Sequence, residues 1–297
     1  MEFMNPSLFH ARMTGANLQR LQQAMLDNVL GALHEDIGST DFSGDHTAKL
    51  IPAEQRARAS IISREQAVIC GLPWAQTCFT QLDQGIKINW QISEGDAVQP
   101  GQQLVSISGH ARAMLSAERC ALNFLQTLSA TATETRKFVD AVKSCHCGIL
   151  DTRKTLPGLR LAQKYAVLVG GGQNQRLGLY DGILIKENHI AAAGGIAQAL
   201  AKATQIGNGI PIQIEVENLH DLQTALEAGA TSILLDNFSH SDMAEAVKIN
   251  QGRAILEASG GISIDNVRTV ALTGVDRISI GHLTKDLRAI DLSMRFE

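Results

Sequence analysis

The stretch PIQIEVENLHDLQTALEAGATSILLDNF, residues 211–238, reads as strand, helix and strand in succession. IQIEVE from 212 and SILLD from 232 are apolar runs short enough for buried strands, and LHDLQTALEAG between them carries a helical pattern. The same alternation extends in both directions. GILD near 148, GILIK at 182, AILEAS at 254 and RISIG at 277 read as further strands. Between them lie helical segments: GLRLAQKYAVLVGG, GIAQALAKAT, SDMAEAVKI and SIDNVRTVALTG. The later strands recur every 20 to 23 residues, which is the βα repeat of a parallel barrel or open sheet. At least six units favour barrel-type closure over a small doubly wound sheet.

The chain before this repeat has a different rhythm. Residues 17–34 space Leu18, Leu21, Met25, Leu26, Val29, Leu30 and Leu33 as a helix, which Gly38 ends. A polar loop follows. RARASIISREQAVICG, GIKINWQI and GQQLVSISG, within 56–109, predict strands. EGDAVQPGQQL looks like the hairpin of biotinyl and lipoyl carriers but has no modifiable lysine at its tip, so it predicts shared geometry and no carrier role. Residues 112–143 predict helix, with a break near 129–133. Arg119 lies on the helix face of Leu115 and Leu122. It either snorkels at a domain edge or reaches an anion across an interface.

The bulk numbers exclude several classes. A net charge of −4 removes any global electrostatic case for nucleic acid. The N-terminus has no useful h-region, and no run approaches the roughly 20 apolar residues of a membrane span. The five cysteines are odd in number and mostly lie in apolar runs. Reduced thiols in a soluble, cytoplasmic protein are expected. The CHC at 145–147 lacks the second ligand pair of a zinc site.

The chemistry gathers where strands end. The first leads into Asp151, Arg153 and Lys154, and the second into Lys186, Glu187, Asn188 and His189. The third carries Glu215 and Glu217 on one face, because strand side chains alternate. The fourth ends in Asp236 and Asn237, the fifth in Glu257, Ser259, Gly260 and Gly261, and the sixth in Ser279 and Gly281. In a parallel βα barrel these ends converge on one rim, where active sites form. The rim divides by sign: cations Arg153, Lys154, Arg176 and Lys186, then carboxylates Glu215, Glu217 and Asp236, then the small-residue loops SGG and SIG. Several cations imply a polyanionic small substrate, carboxylates beside a phosphate loop imply Mg²⁺, and glycine loops after the last strands suit a phosphate. Two other classes remain open: a Schiff-base aldolase using Lys186, and a non-catalytic anion-binding protein.

LDTRKTLPGLR, GGGxNxRLGLxDxxLIKENH, IEVEN, LLDNF, EASGGI, ISIGxLT and ERCALNFLQTLSATAT together resemble quinolinate phosphoribosyltransferase, over nearly the whole chain. The resemblance implies an N-terminal α/β sandwich and dimerisation domain, residues 1–128. It also implies an incomplete parallel α/β barrel, residues 129–297, whose last residues pack back on the first domain. It implies transfer of phosphoribose from phosphoribosyl pyrophosphate to quinolinate with decarboxylation, with Mg²⁺, in a homodimer. By position, Arg119 would reach the neighbouring subunit's quinolinate pocket. Arg153, Arg176 and Lys186 would hold the carboxylates, with Thr152, and with Lys154 between the two substrates. Glu215 and Asp236, with Glu217 nearby, would face ribose and metal; Ser259, Gly260, Gly261, Ser279, Ile280 and Gly281 would hold the 5′-phosphate. One position departs: Gln175 stands where the family usually has His before the arginine. A neutral amide still donates to a carboxylate but neither ionises nor moves a proton, so an affinity change at most is expected.

Overall fold

The computed structural model describes residues 9–10, 15–39 and 43–297. Most of the N-terminal stretch read for a leader, and residues 40–42 of the polar loop, lie outside them. The chain divides into two compact units. The first comprises 1–134, 156–170 and 286–297; the second comprises 135–155 and 171–285. The cut expected after residue 128 falls inside a continuous helix, and the first unit takes back two later segments.

In the first unit, β1 (Arg56–Ser63), β5 (Gln103–His110), β3 (Lys87–Trp90) and β12 (Leu292–Phe296) form an antiparallel sheet in the order β12-β1-β5-β3. The predicted strand 56–71 is two pieces, because Arg64 N leaves β1 to donate to Asp291 O, and β2 (Ala67–Val68) pairs instead with β4 (Ala97–Val98). Helix α1 (Gly15–Ile37) buries Leu21, Met25, Val29, Leu33 and Ile37, a four-residue stripe, in the same core as α2 (Leu72–Leu82), α4 (Arg160–Val169) and the sheet.

Helix α3 (Ala111–Val142) has no break near 129–133. Ser129 and Thr133 are spaced four apart, so they share a face. Ser129 Oγ accepts from Cys70 N at 2.9 Å and donates to Cys70 O at 3.2 Å. Thr133 Oγ1 treats Val68 the same way, at 2.9 and 3.4 Å. One helical turn matches two strand residues, so hydroxyls that would otherwise compete with the helix pair with an extended segment instead.

In the second unit the strands are β6 (Gly148–Leu150), β7 (Ile183–Ile185), β8 (Ile212–Val216), β9 (Ser232–Asp236), β10 (Ile255–Ser259) and β11 (Arg277–Ser279). They form one parallel sheet in the order β6-β11-β10-β9-β8-β7. The first strand therefore lies beside the last, as in a closing barrel, and the sheet is open between β6 and β7. That opening is partly lined by Gln173, which bridges Leu150 in parallel and accepts from Asp151 N. Helices α6 (Ile196–Gly207), α7 (Leu219–Glu227), α8 (His240–Asn250) and α9 (Val267–Leu272) alternate with the strands, α7 and α8 capped by Asn218 and Ser239. Sequence periodicity misses α5 (Glu187–Ala193), which follows β7 directly with Lys186 at its N-cap. No helix among the described residues is long and apolar enough to cross a membrane.

Candidate active site

The sheet of the second unit has one apolar face. Ile149, Ile185, Ile214, Val216, Ile233, Leu235, Leu256, Ala258, Ile278 and Ile280 pack in the layer with the helices. Alternation sends Lys186, Gln213, Glu215, Asp236, Glu257, Ser259 and Ser279 to the other face. The parallel register sets Ser259 beside Asp236 and Ser279 beside Leu150, and pairs Ile185 with Ile214, so Lys186 stands level with Glu215.

At the centre, Lys186 Nζ meets Glu215 Oε2 at 2.7 Å, the lysine half exposed and the glutamate largely covered. Partial burial and the neighbouring Glu215 raise the Asp236 carboxyl above its ordinary range, while Lys186, Lys154 and the Asn237 amide oppose the rise. Asp236 thus sits between another carboxylate and two lysines. Lys154 also lies against the last strand's loop: a Cβ on Gly281 would stand 2.9 Å from Lys154 Cδ and 3.6 Å from Thr152 Oγ1. Gly260 at φ +96° packs where any side chain would collide with Asn237, and Gly261 at φ +61° opens onto clear space.

The second cationic arc follows β6. Burial, and then Arg153, press the Arg176 guanidinium below the ordinary arginine range, with Asp181 opposing. Two arginines crowded at a partly covered rim have the chemistry to hold an anion. Asp151, fully buried, fixes this segment by accepting from Asn174 Nδ2 at 2.6 Å and Gln175 N at 3.0 Å. Gln175 accepts from Arg176 N at 2.8 Å through Oε1 and donates to Gln213 Oε1 at 2.8 Å.

Glu217 extends past β8, and its carboxyl is raised first by Glu187, then by slight burial, Asp236, a hydrogen bond with Glu187, and Glu215. Beside these acids lies a pocket of about 390 Å³ lined by Glu187, Ile190, Glu215, Glu217 and His220.

Of the residues singled out in the sequence, Thr152, Arg153, Lys154, Lys186, Glu215, Glu217, Asp236, Ser259, Gly260, Gly261, Ser279 and Gly281 follow or end strands of this one sheet, on its C-terminal side, and Gln175 and Arg176 come just after the Gln173 bridge to β6. Ile280 does not offer a donor: its N–H goes to Leu150 O at 2.9 Å and its side chain is buried in the apolar layer. Arg119 belongs to the first unit, exposed on α3, as do Arg160 and Lys164 on α4. The basic run at 153–186 is therefore two groups. Sequence reasoning missed Gln213 as a site residue, and it read Asp151, Glu187, Asn237 and Glu257 only as strand-end polarity. A buried acid inside an apolar strand was the available signal for Glu257.

A parallel βα sheet with arginines, lysines, carboxylates and open glycine loops on its C-terminal rim defines an enzyme acting on small anionic substrates. The chain belongs to the quinolinate phosphoribosyltransferase family. Residues 45–129 match the model of the family's N-terminal domain, and residues 131–295 that of its C-terminal domain. The chain is similar to the probable nicotinate-nucleotide pyrophosphorylase (carboxylating) of Bacillus subtilis, 40% identical over 88% of this chain and 89% of that one. It is also similar to the nicotinate-nucleotide pyrophosphorylase of Mycobacterium leprae, 39% identical over 91% and 96%. The solved structure of the Francisella tularensis nicotinate-nucleotide pyrophosphorylase superimposes with a TM-score of 0.89 at 43% identity, covering 93% of this chain and 97% of that one.

Proposed function

We propose that this pentosyltransferase moves phosphoribose from phosphoribosyl pyrophosphate to quinolinate, releasing pyrophosphate and CO₂ and leaving nicotinate mononucleotide for NAD synthesis. The carrying observation is the order around one rim. The Arg153–Arg176 pair suits a dicarboxylate, Glu215 and Asp236 suit the sugar, and the Gly260–Gly261 and Gly281 loops suit a phosphate. Lys154, which faces both Asp236 and Gly281, would stand between the two substrates.

In the reaction, the pyridine nitrogen forms a bond to ribose C1 as the bond from C1 to pyrophosphate breaks. Positive charge grows on C1, where Glu215 and Asp236 would stabilise it directly or through ribose hydroxyls. Holding the reactants in line supplies much of the remainder. The quaternised ring then stabilises the carbanion left when the 2-carboxylate departs as CO₂, and the ring carbon takes a proton. The arginines and lysines orient that carboxylate without over-stabilising it.

Mg²⁺ usually binds through one or two carboxylates, water and substrate oxygens, not a closed protein cage. Among the described residues no trio of His, Cys, Asp or Glu forms such a cage, whereas the raised Asp236 and Glu217 mark acids that a cation would relieve. Glu215 and Asp236 would hold the ion, which would supply charge neutralisation of the departing pyrophosphate. The exposed Arg119 supports a homodimer in which residues 1–128 form the contact and this side chain completes the partner's pocket. Five free cysteines suit the reducing cytoplasm.

The aldolase reading is disfavoured because Lys186 Nζ is held by Glu215 Oε2 at 2.7 Å, whereas a Schiff base needs that nitrogen presented to a carbonyl carbon. Supplying quinolinate, phosphoribosyl pyrophosphate and Mg²⁺ should yield nicotinate mononucleotide, with nicotinate failing to replace quinolinate. Pyridine products from nicotinate alone would assign a different acceptor.

A further inference from the structure

A chain of hydrogen bonds runs from the buried inner face of the sheet to the Gln175–Arg176 segment. Glu257 is 1% exposed and Gln213 is 8% exposed, both on the inner face of the sheet. Gln213 Nε2 donates to Glu257 Oε2 at 3.0 Å. The same Gln213 presents its Oε1 to Gln175 Nε2 at 2.8 Å. Gln175 in turn accepts the Arg176 backbone N–H at 2.8 Å. Each amide has distinct donor and acceptor ends, so the order of bonds fixes the orientation of every member. The Arg176 guanidinium is tied at its far end to Gly182 O at 2.8 Å.

A buried acid is costly unless it is partnered or neutral. Burial raises the Glu257 carboxyl, opposed by Gln213, Ser279 and Arg277, and one of its oxygens has no hydrogen-bond partner. An apolar residue would fill this position more cheaply, so the acid needs a use. The chain leads to one segment, Gln175–Arg176.

We propose that Glu257 and Gln213 are positioning residues that act through Gln175 to set Arg176 for the acceptor's carboxylates, and so tune affinity for the dicarboxylate and not for the sugar donor. This rests on the reading of Arg176 as a quinolinate contact.

The test is steady-state kinetics on the purified enzyme with quinolinate and phosphoribosyl pyrophosphate varied separately, using Gln213→Leu, Glu257→Leu, Glu257→Gln and Arg176→Ala. Gln213→Leu and Glu257→Leu should each raise KM for quinolinate about tenfold, the scale of one hydrogen bond. KM for phosphoribosyl pyrophosphate should stay within about twofold in both. Glu257→Gln, which still presents an oxygen to Gln213, should restore most of the lost affinity. Circular dichroism of each variant identifies any that fail to fold, and Glu257→Gln against wild type then carries the comparison. Gln213 Nε2 donates to the Glu257 carboxyl, and an amide oxygen accepts in the same way, so the quinolinate KM of Glu257→Gln should stay well below that of Glu257→Leu. Equal changes in both KM values, or a Glu257→Gln quinolinate KM as high as that of Glu257→Leu, would overturn the proposal. An Arg176→Ala variant with unchanged quinolinate KM would instead overturn the reading on which it rests.

Discussion

Lys154 touches more of the proposed chemistry than any neighbour, facing the Asp236 carboxyl and the Gly281 turn together. Removing a cation from a site where charge is redistributed costs roughly 10²- to 10³-fold in turnover. Lys154→Ala should therefore lose that much kcat, whereas Gln175→Ala should change mainly the quinolinate KM, by about tenfold. Parallel steady-state assays check this, and equal losses of kcat would contradict the role given to Lys154. Lys154 was legible because it follows a polar strand end in the sequence, and Gln175 only through the family motif in which it replaces a histidine. Glu257 and Gln213 were harder to see. They sit within apolar strands, and only the register shows that both face inward with Gln175 above them.

Helix α2 begins with its first amides held by a side chain from a distant loop. Glu94 Oε1 accepts from Gly71 N at 2.8 Å and Leu72 N at 2.6 Å, with Cys70 and Tyr165 beside the carboxyl. Burial outweighs these hydrogen bonds and lifts its pKa to about 7. Between the unfolded value of about 4.5 and 7, the folded state holds a proton that the unfolded state has lost. Stability from this group is thus complete below pH 4.5 and is lost as pH rises through 7. The change amounts to roughly 3 kcal/mol. Urea unfolding from pH 4.5 to 8 should show that slope in the wild type, and Glu94→Gln should lack it; superimposable profiles would count against a protonated Glu94. Among the elements, the six parallel strands were legible because short apolar runs recur at a regular interval. Helix α5 was not, because it buries none of its residues and so carries no apolar stripe. The expected break in α3 failed for a different reason: its hydroxyls are bonded across to Val68 and Cys70, contacts that no local pattern announces.

The molecule as a whole combines two units whose sequence segments interleave, with Arg119 on the first and the candidate site on the second. A shared-site homodimer predicts complementation. Arg119→Ala mixed with Lys186→Ala, each inactive alone, should regain roughly a quarter of wild-type activity after subunit exchange, since half the dimers are mixed and each holds one intact site. No recovery after exchange confirmed by mass spectrometry would place Arg119 in its own subunit's chemistry or in none. Fold class was readable from the repeat alone; the interleaving was not, because residues 156–170 look like any crossover helix and only their packing assigns them to the first unit's core. The most direct measurement uses quinolinate labelled with ¹³C at the 2-carboxylate, followed with and without phosphoribosyl pyrophosphate. The account predicts labelled CO₂ only when the sugar donor is present, one for each nicotinate mononucleotide formed. Labelled CO₂ released without the donor, or mononucleotide that keeps the label, would contradict it.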